Sequence, residues 1–248
     1  MSARHRSRHA PESAGQVLEE IQSRSDRIAE WISDNPLVLL GSAAAILVAA
    51  AIWGLVSSSQ QEMHERAATA LARAQNAYRS EMGARAGELE IPEPANADTA
   101  VRAREHALGL YQAVIDGYPE TPAATLAALE KGERLVELGR REDAISTWQG
   151  ALDTASPPLA ALLHVRIAAL YEDAGRYADA AAEYEEAERA GTPLGPQALA
   201  DAARCRALAG QEQAAVALLQ RIEAEYPDFV VAPHLRARLE ELRATETD

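Results

Sequence analysis

The chain has 248 residues, 24 basic and 38 acidic, for a net charge of −14. Beyond residue 35 there remain 19 basic and 32 acidic residues, which excludes the basic footprint that nucleic-acid binding requires. One cysteine, Cys205, excludes a disulfide framework, and an aromatic content of 4% with few β-branched runs argues against sheets.

Residues 1–15, MSARHRSRHAPESAG, are polar and aperiodic and read as a disordered tail. In residues 16–34, Val17, Leu18, Ile21, Ile28, Trp31 and Ile32 fall near one helical face. That pattern predicts an amphipathic juxtamembrane helix, docked on a membrane or on a partner.

The next segment, NPLVLLGSAAAILVAAAIWGLVSSS, carries no charge from residue 35 to residue 59. About 20 apolar residues at 1.5 Å rise span a hydrocarbon core of about 30 Å. Asn35 can cap the first turn and Pro36 suits the first helical position. Trp31 and Trp53 stand near the two ends, where tryptophan favours the interface. The run is longer than a signal-peptide core and begins late for one, so an uncleaved anchor over 36–57 is predicted. Five arginines precede it, whereas Arg66 and Arg73 alone follow closely. The positive-inside bias then puts the N-terminus in the cytoplasm and residues 58–248 across the membrane. Gly41, Ala45 and Ala49 form a small-residue face that would admit a second transmembrane helix, although alanine is abundant here in any case.

After the anchor, Met63, Ala67, Ala70, Leu71, Ala74, Ala77 and Tyr78 continue a helical stripe to about residue 81. Residues 83–98 hold two prolines and two glycines without periodicity and read as a loop. A helix resumes over 99–116 with Val101, Ala107, Leu108, Tyr111, Val114 and Ile115 on its apolar side. From there the chain repeats. Gly139, Gly175 and Gly210 are spaced 36 and 35 residues apart, and Pro119, Pro157, Pro193 and Pro227 recur at similar intervals. Such periods mean stacked helical hairpins, each turning on its glycine.

Residues 161–194 carry Ala168, Tyr171, Gly175, Tyr177, Ala180, Tyr184, Ala187 and Pro193. In this order they resemble a tetratricopeptide repeat. Residues 125–158 are similar through Gly132, Leu135, Gly139, Ala144, Trp148, Ala151 and Pro157. Residues 196–227 follow with Ala203, Gly210, Ala215, Leu219 and Pro227, but Arg206 stands where an aromatic is expected. Residues 60–118 would make an atypical first hairpin, and 230–243, with Val231, Leu235, Leu239 and Leu242, a capping helix. The expected fold is all-α: a single transmembrane helix followed by a tetratricopeptide-like α-solenoid of helical hairpins.

The chemistry-bearing motifs are missing. There is no phosphate loop, no metal-ligand spacing among the six histidines and no nucleophile elbow. The run Glu185, Glu186, Glu188 reads as a solvated face, and Cys205 as a small apolar filler. No enzyme activity, cofactor or small-molecule substrate is expected. The resemblance instead implies protein binding on a concave face lined by the first helix of each repeat. Its lining positions would be Leu126, Leu129, Glu133, Val136 and Glu137 in the first repeat. The second would add Leu162, Val165, Ala169, Glu172 and Asp173, and the third Gln197, Ala200, Arg204 and Leu208. Apolar patches edged by acids would suit an extended or helical segment with some basic residues.

The layout as a whole, and locally residues 27–78, resembles the ancillary subunit of the bacterial Sec translocon. That resemblance implies a single-pass inner-membrane protein whose periplasmic domain meets the translocon, periplasmic chaperones and exported chains. The turns GYPETPAA at 117–124 and EYPDFVVAP at 225–233 also resemble those of envelope-assembly scaffolds. An accessory subunit of a large membrane complex is a third expectation.

Overall fold

The computed structural model describes residues 36–85, 87–88 and 90–245, the side chains of 36–46, 55–56 and 245 excepted. The tail expected at 1–15 and the juxtamembrane helix expected at 16–34 lie outside the described residues, as do the surroundings of Gly41 and the side chain of Ala45. Two compact units divide at Gln60.

Helix α1 runs from Pro36 to Glu81. In the first unit, its described side chains at 47–54 and 57–60 are all exposed, Ala49 and the large apolar Leu47, Val48, Ile52 and Trp53 among them. Among the described residues no helix is long and apolar enough to cross a membrane.

The second unit is built from helices only, among the described residues. The last turns of α1 pack on α2, Ala97–Gly117, through Ala67, Leu71, Ala74 and Tyr78 against Ala100, Ala103, Ala107 and Tyr111. Steps of three and four residues put these on one stripe of each helix. Val101 falls one position off that stripe and is exposed, as is Met63. The connection between α1 and α2 is irregular, and Asn96 closes it by accepting the Asp98 N–H at 2.9 Å as the cap of α2.

Three hairpins follow: α3 (Pro122–Glu137) with α4 (Arg141–Gln149), α5 (Pro157–Asp173) with α6 (Tyr177–Arg189), and α7 (Gly195–Leu208) with α8 (Glu212–Glu225). Their first helices begin before residues 125, 161 and 196, because proline in the first turn has no N–H to leave unpaired. At α3, Thr121 adds a cap: its hydroxyl accepts from the Ala124 N–H at 3.2 Å and donates to the Tyr118 carbonyl at 2.8 Å.

Each hairpin turns in the same way. Gly139, Gly175 and Gly210 take φ of 75°, 71° and 73°, left-handed values that a side chain would strain. The next residue's N–H reaches back five positions, Arg140 to Leu135, Arg176 to Tyr171 and Gln211 to Arg206, at 2.8–2.9 Å. This pairing satisfies helix-end carbonyls and fixes the direction of the second helix. Small residues then let the helices approach. Gly132, Ala168 and Ala203 each lie seven positions before their turn glycine and are buried.

Helix α9, Pro233–Thr245, covers the last hairpin with Leu235, Leu239 and Leu242, and Val231 just before it is buried with them. Helix α4 differs from its counterparts. It has nine residues against 13 in α6 and 14 in α8, and a 3₁₀ turn at Leu152–Thr154 replaces its last turns.

Candidate protein-binding face

The fourteen positions expected to line a face divide sharply in the folded unit. Leu126, at 37% relative exposure, and Leu208, at 53%, are exposed apolar side chains. Ala169, Gln197, Asp173 and Glu137 are exposed as well. Leu129, Val136, Leu162 and Val165 are half-buried. Of these, Leu129 and Val136 pack against the cluster around Trp148, and Val165 against the cluster around Leu199. Ala200 is 3% exposed and belongs to the core, so it lines nothing. A short side chain there sits beneath neighbouring helices instead of reaching between them.

The charged members are matched within the fold. Glu133 on α3 meets Arg166 on α5 at 2.9 Å. Glu137 accepts from Nε of Arg104 on α2 at 2.6 Å and lies 2.9 Å from Arg134. Arg104 also reaches Glu93 in the connection at 2.6 Å, and Arg134 stacks over the Tyr78 ring, 4.7 Å from its centroid. Glu172 on α5 takes both guanidinium arms of Arg204 on α7, each at 2.7 Å. Asp173 lies 3.9 Å from Arg141. The acidic edge legible in the sequence is therefore largely neutralised by arginines of neighbouring helices, which one-dimensional spacing does not reveal. What remains to offer a partner is mostly apolar.

The Glu172 cluster is the most closely built. Its carboxylate also faces the Tyr184 hydroxyl at 3.5 Å and the Cys205 thiol at 3.4 Å. The Arg204 hydrogen bonds hold Glu172 below the usual carboxylate range, against the opposing effect of burial. Burial pushes the Cys205 thiol up to about 12, so it stays protonated and donates to the carboxylate. Glu172→Gln will cost about 1–2 kcal/mol at neutral pH, since the bidentate charge-assisted pair is lost. A carboxylate depressed in the folded state stabilises fully above its unfolded value, about 4.3, and loses that stabilisation as pH falls through the folded value. The gap between Glu172→Gln and the parent, followed by urea unfolding, will therefore shrink on acidification. A gap unchanged down to about pH 3 would reject this assignment.

Sequence reasoning missed two features. Glu188, read as part of a solvated run, is buried and bonded to Arg221 at 2.7 Å and Tyr226 at 2.8 Å. Arg206, out of place for an aromatic, donates to Glu185 at 2.6–2.9 Å and to Gln211 at 2.7 Å. An ion pair between α6 and α7 thus stands where a ring would pack. Among the described residues, no group of three or more His, Cys, Asp or Glu side chains could hold a metal ion.

No curated protein matches the chain. Similar solved structures include two crystal structures of nearly identical TPR-like repeats of a Podosopora anserina kinesin light chain. Both are 16% identical over 73% of this chain, cover 88% and 89% of their own, and have TM-scores of 0.46. The apo form of RapI is 12% identical over 75% of this chain, with a TM-score of 0.46, and the match spans 49% of RapI. Residues 129–193 and 165–228 each match the family model described as a tetratricopeptide repeat. Over the stretch from 129 to 228 the chain is thus similar to tetratricopeptide repeats.

Proposed function

We propose that the chain is a membrane-anchored protein-interaction module of the bacterial inner membrane, an accessory of the Sec translocon and periplasmic chaperones that assists exported proteins. Tetratricopeptide repeats are protein-interaction modules, and such a fold is typically a non-catalytic scaffold. The observation that carries the anchor is the state of α1 between residues 47 and 54. It is helical, uncharged and exposed at every position, with Trp53 at 77% relative exposure. An exposed apolar stretch of this kind marks a surface covered by lipid or by another protein. The uncharged sequence on both sides extends it to the length a bilayer requires.

The apolar positions Leu126, Leu162, Ala169 and Leu208, framed by self-paired charges, support docking of an apolar segment on the first helices of the repeats. Crosslinking in intact cells, purification in mild detergent and mass spectrometry of the co-purifying proteins test the assignment. Translocon subunits and periplasmic folding factors are the expected partners, and their recovery will fall when Leu126 and Leu162 are both changed to Asp. Recovery of envelope-assembly proteins, or of one stoichiometric membrane complex without translocon subunits, would replace this assignment. Extraction of the parent chain from membranes by alkaline carbonate would remove the anchor.

A further inference from the structure

Eight residues before the turn glycine stand Lys131, Ile167 and Ala202. Ile167 and Ala202 are fully buried. In the first repeat the same place holds an ammonium group, on the chain's one lysine. Fourteen residues before the glycine, Thr125 stands where the second repeat has the buried Ala161. The first repeat thus gives up two apolar core positions for polar ones. Departures of this kind from a local rule concentrate at functional sites.

These two substitutions meet in one cleft. Because α4 is short, a gap of about 550 Å³ opens beside it, lined by Ile115 of α2, Ala124, Thr125, Ala128 and Lys131 of α3, and Thr147 of α4. At 100° per residue, Ala124, Ala128 and Lys131 lie on the side of α3 opposite Leu126, Leu129 and Glu133, so the cleft is separate from the protein-binding face. Thr125 is 2% exposed, and its hydroxyl has no hydrogen-bond partner in the fold. An unpaired buried hydroxyl is costly and marks a place for a ligand atom. The Lys131 Nζ donates to Oε1 of Gln112 at 2.6 Å, and the Gln112 amide in turn donates to Asp116 at 2.7 Å; Asp116 and Asp143 attract the ammonium from a distance without closing a salt bridge among the described residues. Burial holds the Lys131 pKa below the usual lysine value. Glu120 also lines the cleft and is exposed.

We propose that this cleft binds a ligand carrying one carboxylate on a short apolar body. The carboxylate takes the Lys131 ammonium as its counter-charge and accepts the Thr125 hydroxyl proton. The body lies on Ile115, Ala124 and Ala128. The volume is in the range of sites that enclose small ligands. A free carboxylic acid and the last residues of a polypeptide share this chemistry.

The single lysine makes the test direct. The full chain in detergent is treated with acetic anhydride, and acetylation of Lys131 is followed by mass spectrometry, the N-terminal amine serving as internal control. N-acetyl-leucyl-alanine, its C-terminal amide and octanoate are the probes. A carboxylate probe at about ten times its Kd will slow Lys131 acetylation about tenfold and leave the N-terminal amine unchanged. Protection by the dipeptide acid alone identifies a polypeptide end, protection by octanoate alone a free acid, and protection by both the carboxylate as such. Equal protection by the amide, or none from any probe up to about 10 mM, overturns the proposal. Lys131→Ile, the residue the second repeat uses, keeps the fold and by titration calorimetry loses the heat of carboxylate binding. Retained binding in Lys131→Ile overturns the proposal independently.

Discussion

Gly132→Ala will destabilise the repeat unit by about 3 kcal/mol or more, the upper range for overpacking a filled core. The cause is the Trp148 indole. A Cβ built on Gly132 would overlap Nε1, Cε2 and Cδ1 of that ring. The ring cannot yield cheaply, because Trp148 is buried and its Nε1–H donates to the Leu129 carbonyl at 3.2 Å. Moving it would break that bond and disturb Leu135, Leu163 and Ile167, which share its cluster. Gly109 in α2 is the control. A Cβ there meets nothing within 4 Å, and the site is an exposed helix interior. Gly109→Ala should therefore stabilise by about 0.5–1 kcal/mol. Urea unfolding followed by tryptophan fluorescence and by circular dichroism reads both. A Gly132→Ala loss below about 1 kcal/mol would mean that the α3–α4 interface is looser than the packing describes.

The helices and their turns were legible because their causes are local. A glycine at a fixed interval, a proline in a first turn and an apolar residue every third or fourth position act within one or two turns of chain. The buried stripe of α9 and the left-handed turns at Gly139, Gly175 and Gly210 are of this kind. The candidate face was legible only as a set of positions. Whether Glu133, Glu137 and Glu172 are available to a partner depends on Arg166, Arg104 and Arg204, which lie 32 or 33 residues away in sequence and on other helices. Ala200 shows the same limit: it is 3% exposed, and burial by neighbouring helices removes it from the surface. One signal was present and unread. Tyr184, Ala187 and Glu188 are spaced as one stripe, and the first two are buried. Glu188 therefore had to enter the core with them, despite the acidic company of Glu185 and Glu186. Lys131 was visible by the same logic, as the charged member of an otherwise apolar repeat position.

Arg221→Met will cost about 2–3 kcal/mol, and the loss arises from what is left behind. Glu188, near the end of α6, is 6% exposed, and its two oxygens are divided between Arg221 of α8 at 2.7 Å and the Tyr226 hydroxyl at 2.8 Å. The Glu188 side chain also packs near Gly195, where α7 begins. This carboxylate therefore fastens the second helix of one repeat to the second helix of the next. Removing one partner of a buried pair costs about 3–5 kcal/mol, because the remaining charge has no compensation. Arg221 is 36% exposed, so water reaches its side of the pair and the loss falls to the low end of that range or just below it, about 2–3 kcal/mol. Tyr226→Phe removes one neutral donor and should cost about 1 kcal/mol. The double variant Glu188→Gln/Arg221→Met leaves no unpaired charge and should recover at least about 1 kcal/mol relative to Arg221→Met alone. Chemical denaturation of the parent, Glu188→Gln, Arg221→Met and the double variant closes the cycle, with Tyr226→Phe measured beside it. A single-variant loss below about 0.5 kcal/mol, or a double variant no better than Arg221→Met, would show that the pair contributes nothing to joining the repeats.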